Sequence, residues 1–163
     1  MASVNAAAPD QVLAMLVGVV NRLEAVEGIG VSLTVNGLVI AGKLIPNYLW
    51  LREVEGQIDS AVRDTLGREP DEDERGFASL FAGVAEGFEK RRDAIRAARD
   101  AAPELANEAD DIDRENTGFI HLREAQVFTP GSLPIPQEGM HWRGRLSEVD
   151  GWTFGRLGPG RAT

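Results

Sequence analysis

His121 and His141 are the only imidazoles in the chain, and cysteine is absent. A zinc site would need carboxylates to complete the ligand set around two imidazoles, and the plainer reading of each is a hydrogen-bonded strand histidine. Asp110, Asp111, Asp113 and Glu115 place oxygen atoms much as part of a calcium loop does, but the central glycine and the closing bidentate Glu of such a loop are missing. They read as a solvated charge run. Asp150 is the one acid set among aromatic residues, and as the first residue of Asp150-Gly151 it already has a turn to form. The glycine-rich tail from Gly155 to Gly160 lacks the Lys and Ser or Thr of a phosphate loop. No nucleophile and base stand out, so an enzyme is not expected, and neither a metal nor a cofactor is. Trp142, Trp152 and Phe154 suit a partner surface, because aromatic anchors dominate interfaces, and suit core packing equally. Arg143, Arg145 and Arg156 fall on the opposite face of the same alternation and would form a modest basic strip.

The elements that must carry these residues are legible from period and charge. In 163 residues, 43% are apolar and 26% charged, which fits one ordinary globular domain over 1–163. The longest apolar run, Val12 to Val20, is far short of a bilayer span. A neutral N-terminus with Asp10 before that run is unlike a secretory signal, so a cytoplasmic protein is expected. The net charge is -9, and between Pro46 and Gly118 lie 19 acidic and 10 basic residues, so the flanks sum to zero. That shift marks 46–118 as an acidic unit inserted between two halves of a neutral scaffold. The field also disfavours nucleic acid as a partner.

Asp10 is placed to cap a helix over 10–27 whose Leu13, Leu16, Val17, Val20, Leu23 and Val26 share a face, with Gly28 as the stop. Ile29, Val31, Leu33 and Val35 alternate as a strand, and Asn36-Gly37 predicts a tight hairpin turn into Leu38–Ile45. Gly42 marks a bend or a close backbone approach in that second strand. Within the insert, Asn47 caps a helix that Gly67 ends, with Leu51, Val54 and Ile58 on one face. Asp71 and Glu74 form a capping box for a second helix whose Phe77, Leu80, Phe81, Val84, Phe88 and Ile95 form its apolar face, before Pro103. Residues 104–117 read as an acidic linker. In 119–128 the apolar positions slip from Ile120 and Leu122 to Ala125 and Val127, which implies a bulge near Arg123 and Glu124. Residues 129–137, with three prolines, read as loop. Met140, Trp142, Gly144 and Leu146 then alternate, and Asp150-Gly151 turns the chain into a last hairpin strand. The expected fold is α+β: a five-stranded antiparallel barrel, Sm-like or SH3-like, over 29–45 and 119–157, with a leading helix and a two-helix insertion after the second strand.

The segments VNGLVIAGKLI, GFIHL and HWRGRLSEVDGWTFGRL resemble, in this order, the gas vesicle accessory protein U family. The likeness covers about residues 29–45 and 118–157, and its motif positions are Asn36, Gly37, Gly42, Phe119, His121, Leu122, Trp142, Gly144, Val149, Asp150 and Gly151, taken as fold determinants. The resemblance implies a non-enzymatic accessory that acts with the gas vesicle shell or other gas vesicle proteins and promotes clustering of vesicles, as a homo-oligomer. The basic strip of one copy would meet the acidic insert of another in weak multivalent contacts. The alternative is an Sm-like RNA-binding ring using the arginine strip. A third reading, a small-ligand carrier or enzyme, would require a deep polar cavity between barrel and insert.

Overall fold

The structure is a computed structural model that describes residues 8–24, 26–103 and 117–158. Helix α1 (Gln11–Asn21) starts as its residues dictate: the Asp10 carboxylate accepts the Leu13 N–H at 2.8 Å, and Leu13, Val17 and Val20 are sealed in the core. It ends before the expected boundary at residue 27, and tertiary partners bind the carbonyls that follow its last turn. The Tyr48 hydroxyl donates to the Leu23 carbonyl at 3.1 Å, and the Arg123 guanidinium donates to the carbonyls of Val26 and Glu27. Leu23 therefore lies exposed instead of extending the apolar face.

Five strands follow the expected alternation: β1 (Ile29–Val35), β2 (Leu38–Leu44), β3 (Phe119–Phe128), β4 (Ile135–Arg145) and β5 (Val149–Phe154). They form one antiparallel sheet in the order β4-β3-β2-β1-β5. Asn36 and Gly37 both have positive φ, at 50° and 78°, as the tight turn between β1 and β2 requires. The core lies between the sheet and α1: Val31, Leu33, Ile40, Leu44, Ile120, Leu122 and Ala125 meet Leu13, Val17 and Val20.

The sheet is open, which corrects the closed barrel: among the described residues no ladder joins β4 to β5. The expected hairpin at Asp150-Gly151 is also absent. A 3-10 turn at Leu146–Glu148, anchored by the buried Leu146 and by its N–H on the Gly118 carbonyl at 3.0 Å, carries the chain from one sheet edge to the other. Asp150 and Gly151 lie inside β5, where Thr34 pairs with Gly151 but Val35 pairs with Val149. Asp150 is the extra residue of that bulge, and its carboxylate accepts the Asn36 N–H at 2.8 Å. The acid set among aromatics thus serves a turn, but the turn between β1 and β2. Trp142 and Trp152 pack partly buried against the core, while Phe154 is exposed and meets Trp152 edge to face at 5.2 Å. Strand β4 begins at Ile135, inside the stretch expected as loop; between Ala125 and Val127 its partner advances from Met140 to Ile135, so four β4 residues stand opposite Gln126 alone, three more than a regular ladder holds.

The insertion is a helical hairpin. Helix α2 (Asn47–Leu66) ends at Gly67 in the left-handed conformation, and α3 (Glu72–Ala101) opens with the full Asp71–Glu74 capping box. Asn47 is the first helical residue and not the cap; the Asn21 side-chain oxygen accepts its N–H at 3.0 Å, because Pro46 before it has no side-chain oxygen to offer. The expected apolar face of α3 is only partly covered. Ala78 and Ala85, seven residues apart, are the buried ones, while Leu80 and Val84 are 64% and 51% exposed. The Phe77 side chain, residues 104–116 with Asp110, Asp111, Asp113 and Glu115, and the tail beyond 158 lie outside the described residues.

Replacing Asp150 by Ala removes the one side-chain acceptor on the Asn36 N–H; urea unfolding should show a loss of about 1 kcal/mol, the usual worth of a side-chain cap on a backbone N–H. A loss below a few tenths would mean that water replaces the carboxylate without cost.

Candidate functional site

In β3 successive side chains alternate between faces, so Ile120 and Leu122 enter the core while Phe119, His121 and Arg123 face outward. Opposite them on β4, Arg145 pairs with Phe119 and Arg143 with His121. The base of the helical hairpin covers this outer face. Trp50, Glu53 and Gln57 recur on α2 at spacings of three and four, which places them along one side of the helix.

One carboxylate seats the hairpin. Glu53 Oε1 accepts from the Arg123 guanidinium at 3.0 Å, and its Oε2 lies 2.5 Å from His141 Nε2. The other ring nitrogen of His141 meets the Gln57 amide at 2.9 Å. Both partners of the Arg123–Glu53 pair are at most about a quarter exposed, with side-chain exposures of 22% and 26%, so screening by water is reduced. Trp50 lies between the two histidines, with ring centroids 5.3 Å from His121 and 6.4 Å from His141.

Beside this seam lies a cavity of about 510 Å³ between the hairpin and the sheet. From the helices it is lined by Trp50, Leu80, Phe81, Val84, Phe88 and Arg91, and from the sheet by Phe119, His121 and Arg143. The stripe Leu80, Val84 and Phe88, read from the sequence as the apolar face of α3, is a wall of this space. The cavity occupies the place that a small-ligand reading required, but its lining is mainly apolar and not polar. Arg143 Nε donates to His121 Nε2 at 3.2 Å, and its guanidinium stacks 3.6 Å from the Phe119 ring centre. Because an arginine only donates, His121 carries its proton on Nδ1. Burial, helped by the Arg143 charge, pushes the His121 pKa from about 6.5 down to about 3, and burial also lowers that of Arg143.

The two histidines do not share a ligand set, since His121 bonds Arg143 and His141 bonds Glu53 and Gln57. Among the described residues no group of three His, Asp or Glu side chains is arranged to hold a metal ion. The three arginines of the expected strip have different surroundings. Arg143 joins the cavity, Arg145 is exposed, and Arg156 donates to Glu124 at 2.7 Å and to Gln126 at 3.2 Å on the far side of the bulge. Lys43 holds the other oxygen of Glu124 at 2.9 Å, and these cations, Lys43 foremost, keep the Glu124 carboxyl below the usual range. Gly144 has a steric reason to be glycine, because a methyl group there would collide with the Trp142 ring. Trp50 and Glu53 were not singled out in the sequence, and Arg123 only as a bulge position; the α2 spacing of Trp50, Glu53 and Gln57 was the signal that would have found the first two.

The description gas vesicle protein GvpU-like matches residues 10–157, through α1, the sheet and the whole helical hairpin. The chain belongs to the GvpU-like family. The helical insertion, which lay outside the motifs of the resemblance read from the sequence, falls within the matched span of this GvpU-like chain. No curated protein and no solved structure matches the chain.

His121 makes the stability of this GvpU-like protein acid-sensitive. Its native pKa lies below its unfolded value, so below pH 6.5 the unfolded chain binds a proton that the native chain refuses, and stability falls as pH falls. Between pH 6.5 and 5 this one group should remove about 1.5 kcal/mol, read by urea unfolding. His121→Phe keeps a ring against Trp50 and should flatten that interval; an unchanged slope would place the acid sensitivity elsewhere.

Proposed function

We propose that the chain is a non-enzymatic gas vesicle accessory protein that works with the vesicle shell or its associated proteins and promotes clustering of vesicles by self-association. The observation that carries this reading is the family match, because it spans the sheet and the hairpin together. Two features of the fold support self-association. Among the described residues β4 and β5 are the two free edges of the sheet, and an unpaired strand edge is a template for another chain. The edges carry exposed apolar residues, Ile135 and Phe154. The acidic hairpin adds a surface that exposed arginines of another copy, Arg145 among them, can meet. No helix among the described residues is long and apolar enough to cross a membrane, so the association with vesicles proposed here is peripheral.

Clustering then rests on many weak contacts and not on one strong interface. Electrostatic contacts of this kind weaken as the screening length falls from about 8 Å at physiological salt to about 3 Å at 1 M. Light scattering of the purified protein should therefore show assemblies that shrink across that range, and Phe154→Ser should shrink them at constant salt while leaving the circular dichroism unchanged. In vesicle-producing cells, loss of this chain should leave vesicles formed but dispersed in electron micrographs. Vesicles that stay clustered without it would overturn the reading.

A further inference from the structure

The cavity between the helical hairpin and the sheet combines features that no part of a self-association mechanism uses. Both charged residues that line it, Arg91 on α3 and Arg143 on β4, are cations, in a chain whose net charge is -9. Arg143 stacks on Phe119 and bonds a neutral histidine, and among the described residues it makes no ion pair. Two of the residues that line it also carry covered N–H donors. Trp50 Nε1 and His121 Nδ1 are both covered by protein and without an acceptor, and His121 as a whole is only 6% exposed. Groups of this kind are ordinarily satisfied in native structures, and a buried donor without a partner calls for an explanation. The remaining walls are apolar: Leu80, Phe81, Val84 and Phe88 from α3. A volume of about 510 Å³ is that of a small-molecule site, and a mainly apolar lining with a few convergent polar groups is the usual design of one.

We propose that this cavity binds a monoanionic amphiphile, a carboxylate on an unbranched apolar tail. The carboxylate lies against Arg143, whose guanidinium is held in place by the Phe119 ring and the His121 imidazole, and the tail runs along the Leu80, Val84 and Phe88 side of α3. A carboxylate there has two acceptor oxygens, which a planar guanidinium can hold as a bidentate pair. An apolar ligand without charge would leave Arg143 uncompensated, and a cationic one would meet two arginines. The choice of an anion runs against the overall field of the protein, which makes it a sharp test. The site needs no second copy of the chain, so it stands or falls separately from clustering.

The test is calorimetric titration of the full chain with decanoate and, separately, with 1-decanol, both at micromolar concentrations where neither forms aggregates. Decanoate should bind once per chain and about tenfold more tightly than decanol, the difference one charge-assisted contact makes. Arg143→Gln should abolish that preference while leaving decanol binding unchanged. Val84 is half exposed, so Val84→Glu leaves the core intact while placing a negative charge on the cavity wall, and it should abolish decanoate binding. No saturable decanoate binding, equal affinity for the two probes, or a preference that survives Arg143→Gln would each overturn the proposal.

Discussion

The structure turns on one bulge in its middle strand. At Arg123 and Glu124 β3 holds one more residue than either neighbour, and Glu124 takes a positive φ of 49°. Without the extra residue, alternation would send Leu122 and Ala125 to opposite faces; with it both reach the core. The flanking strands are built to admit it. A Cβ on Gly42 of β2 would come within 3.0 Å of the Ala125 Cα, and one on Gly139 of β4 within 2.7 Å of the Glu124 Cα. Glycine on each side is thus a steric requirement of the bulge itself.

The bulge also divides the outer face of the sheet into two territories. Arg123 swings toward the hairpin and binds Glu53, while Glu124, its neighbour, turns the other way to Lys43 and Arg156. On that second side Ser32 accepts the Leu157 N–H at 3.1 Å and donates to the Gly155 carbonyl at 2.9 Å, which straps the chain after β5 across β1. Two adjacent residues of opposite charge therefore fix two separate coverings. Hydrogen bonds to charged groups contribute about 1.5–3 kcal/mol each when shielded. Their larger effect here is on position: truncating Glu53 would leave Arg123 and His141 facing each other, so the hairpin cannot shift without uncovering charge.

Much of this was readable in the residues. The slip from Ile120 and Leu122 to Ala125 and Val127 located the bulge, Gly42 announced a close approach, and Asn36-Gly37, Asp10, Gly67 and the Asp71–Glu74 box placed their turns and caps. All of these signals are local. What failed was information held in distant partners. Asp150-Gly151 reads as a turn, but Asn36, over a hundred residues away, decides that its carboxylate caps another turn. The end of α1 is set by Tyr48 and Arg123, which no helix pattern near residue 22 contains. For the site, the α3 periodicity identified the right face and the wrong cover: Leu80, Val84 and Phe88 share a side, as read, but period cannot tell a core from the wall of a cavity. Neither the place of the last strand nor closure was legible, because whether β5 meets β4 or β1 depends on where a single 3-10 turn sends the chain.

The apolar surface left over bears on how such a chain remains dispersed at all. Val12, Met15 and Val19, at spacings of three and four, form an exposed stripe on α1 with 55%, 45% and 42% of their surfaces free, in addition to the cavity wall on α3 and the open strand edges. Surface of that kind favours contact between copies. The net charge of -9 sits in the insertion, apart in sequence from the neutral sheet that carries the open apolar edges, so copies repel as wholes at long range while an acidic insert and the arginines of another copy attract at contact. Salt screens both terms, and the contact term is the one that acts within an assembled pair.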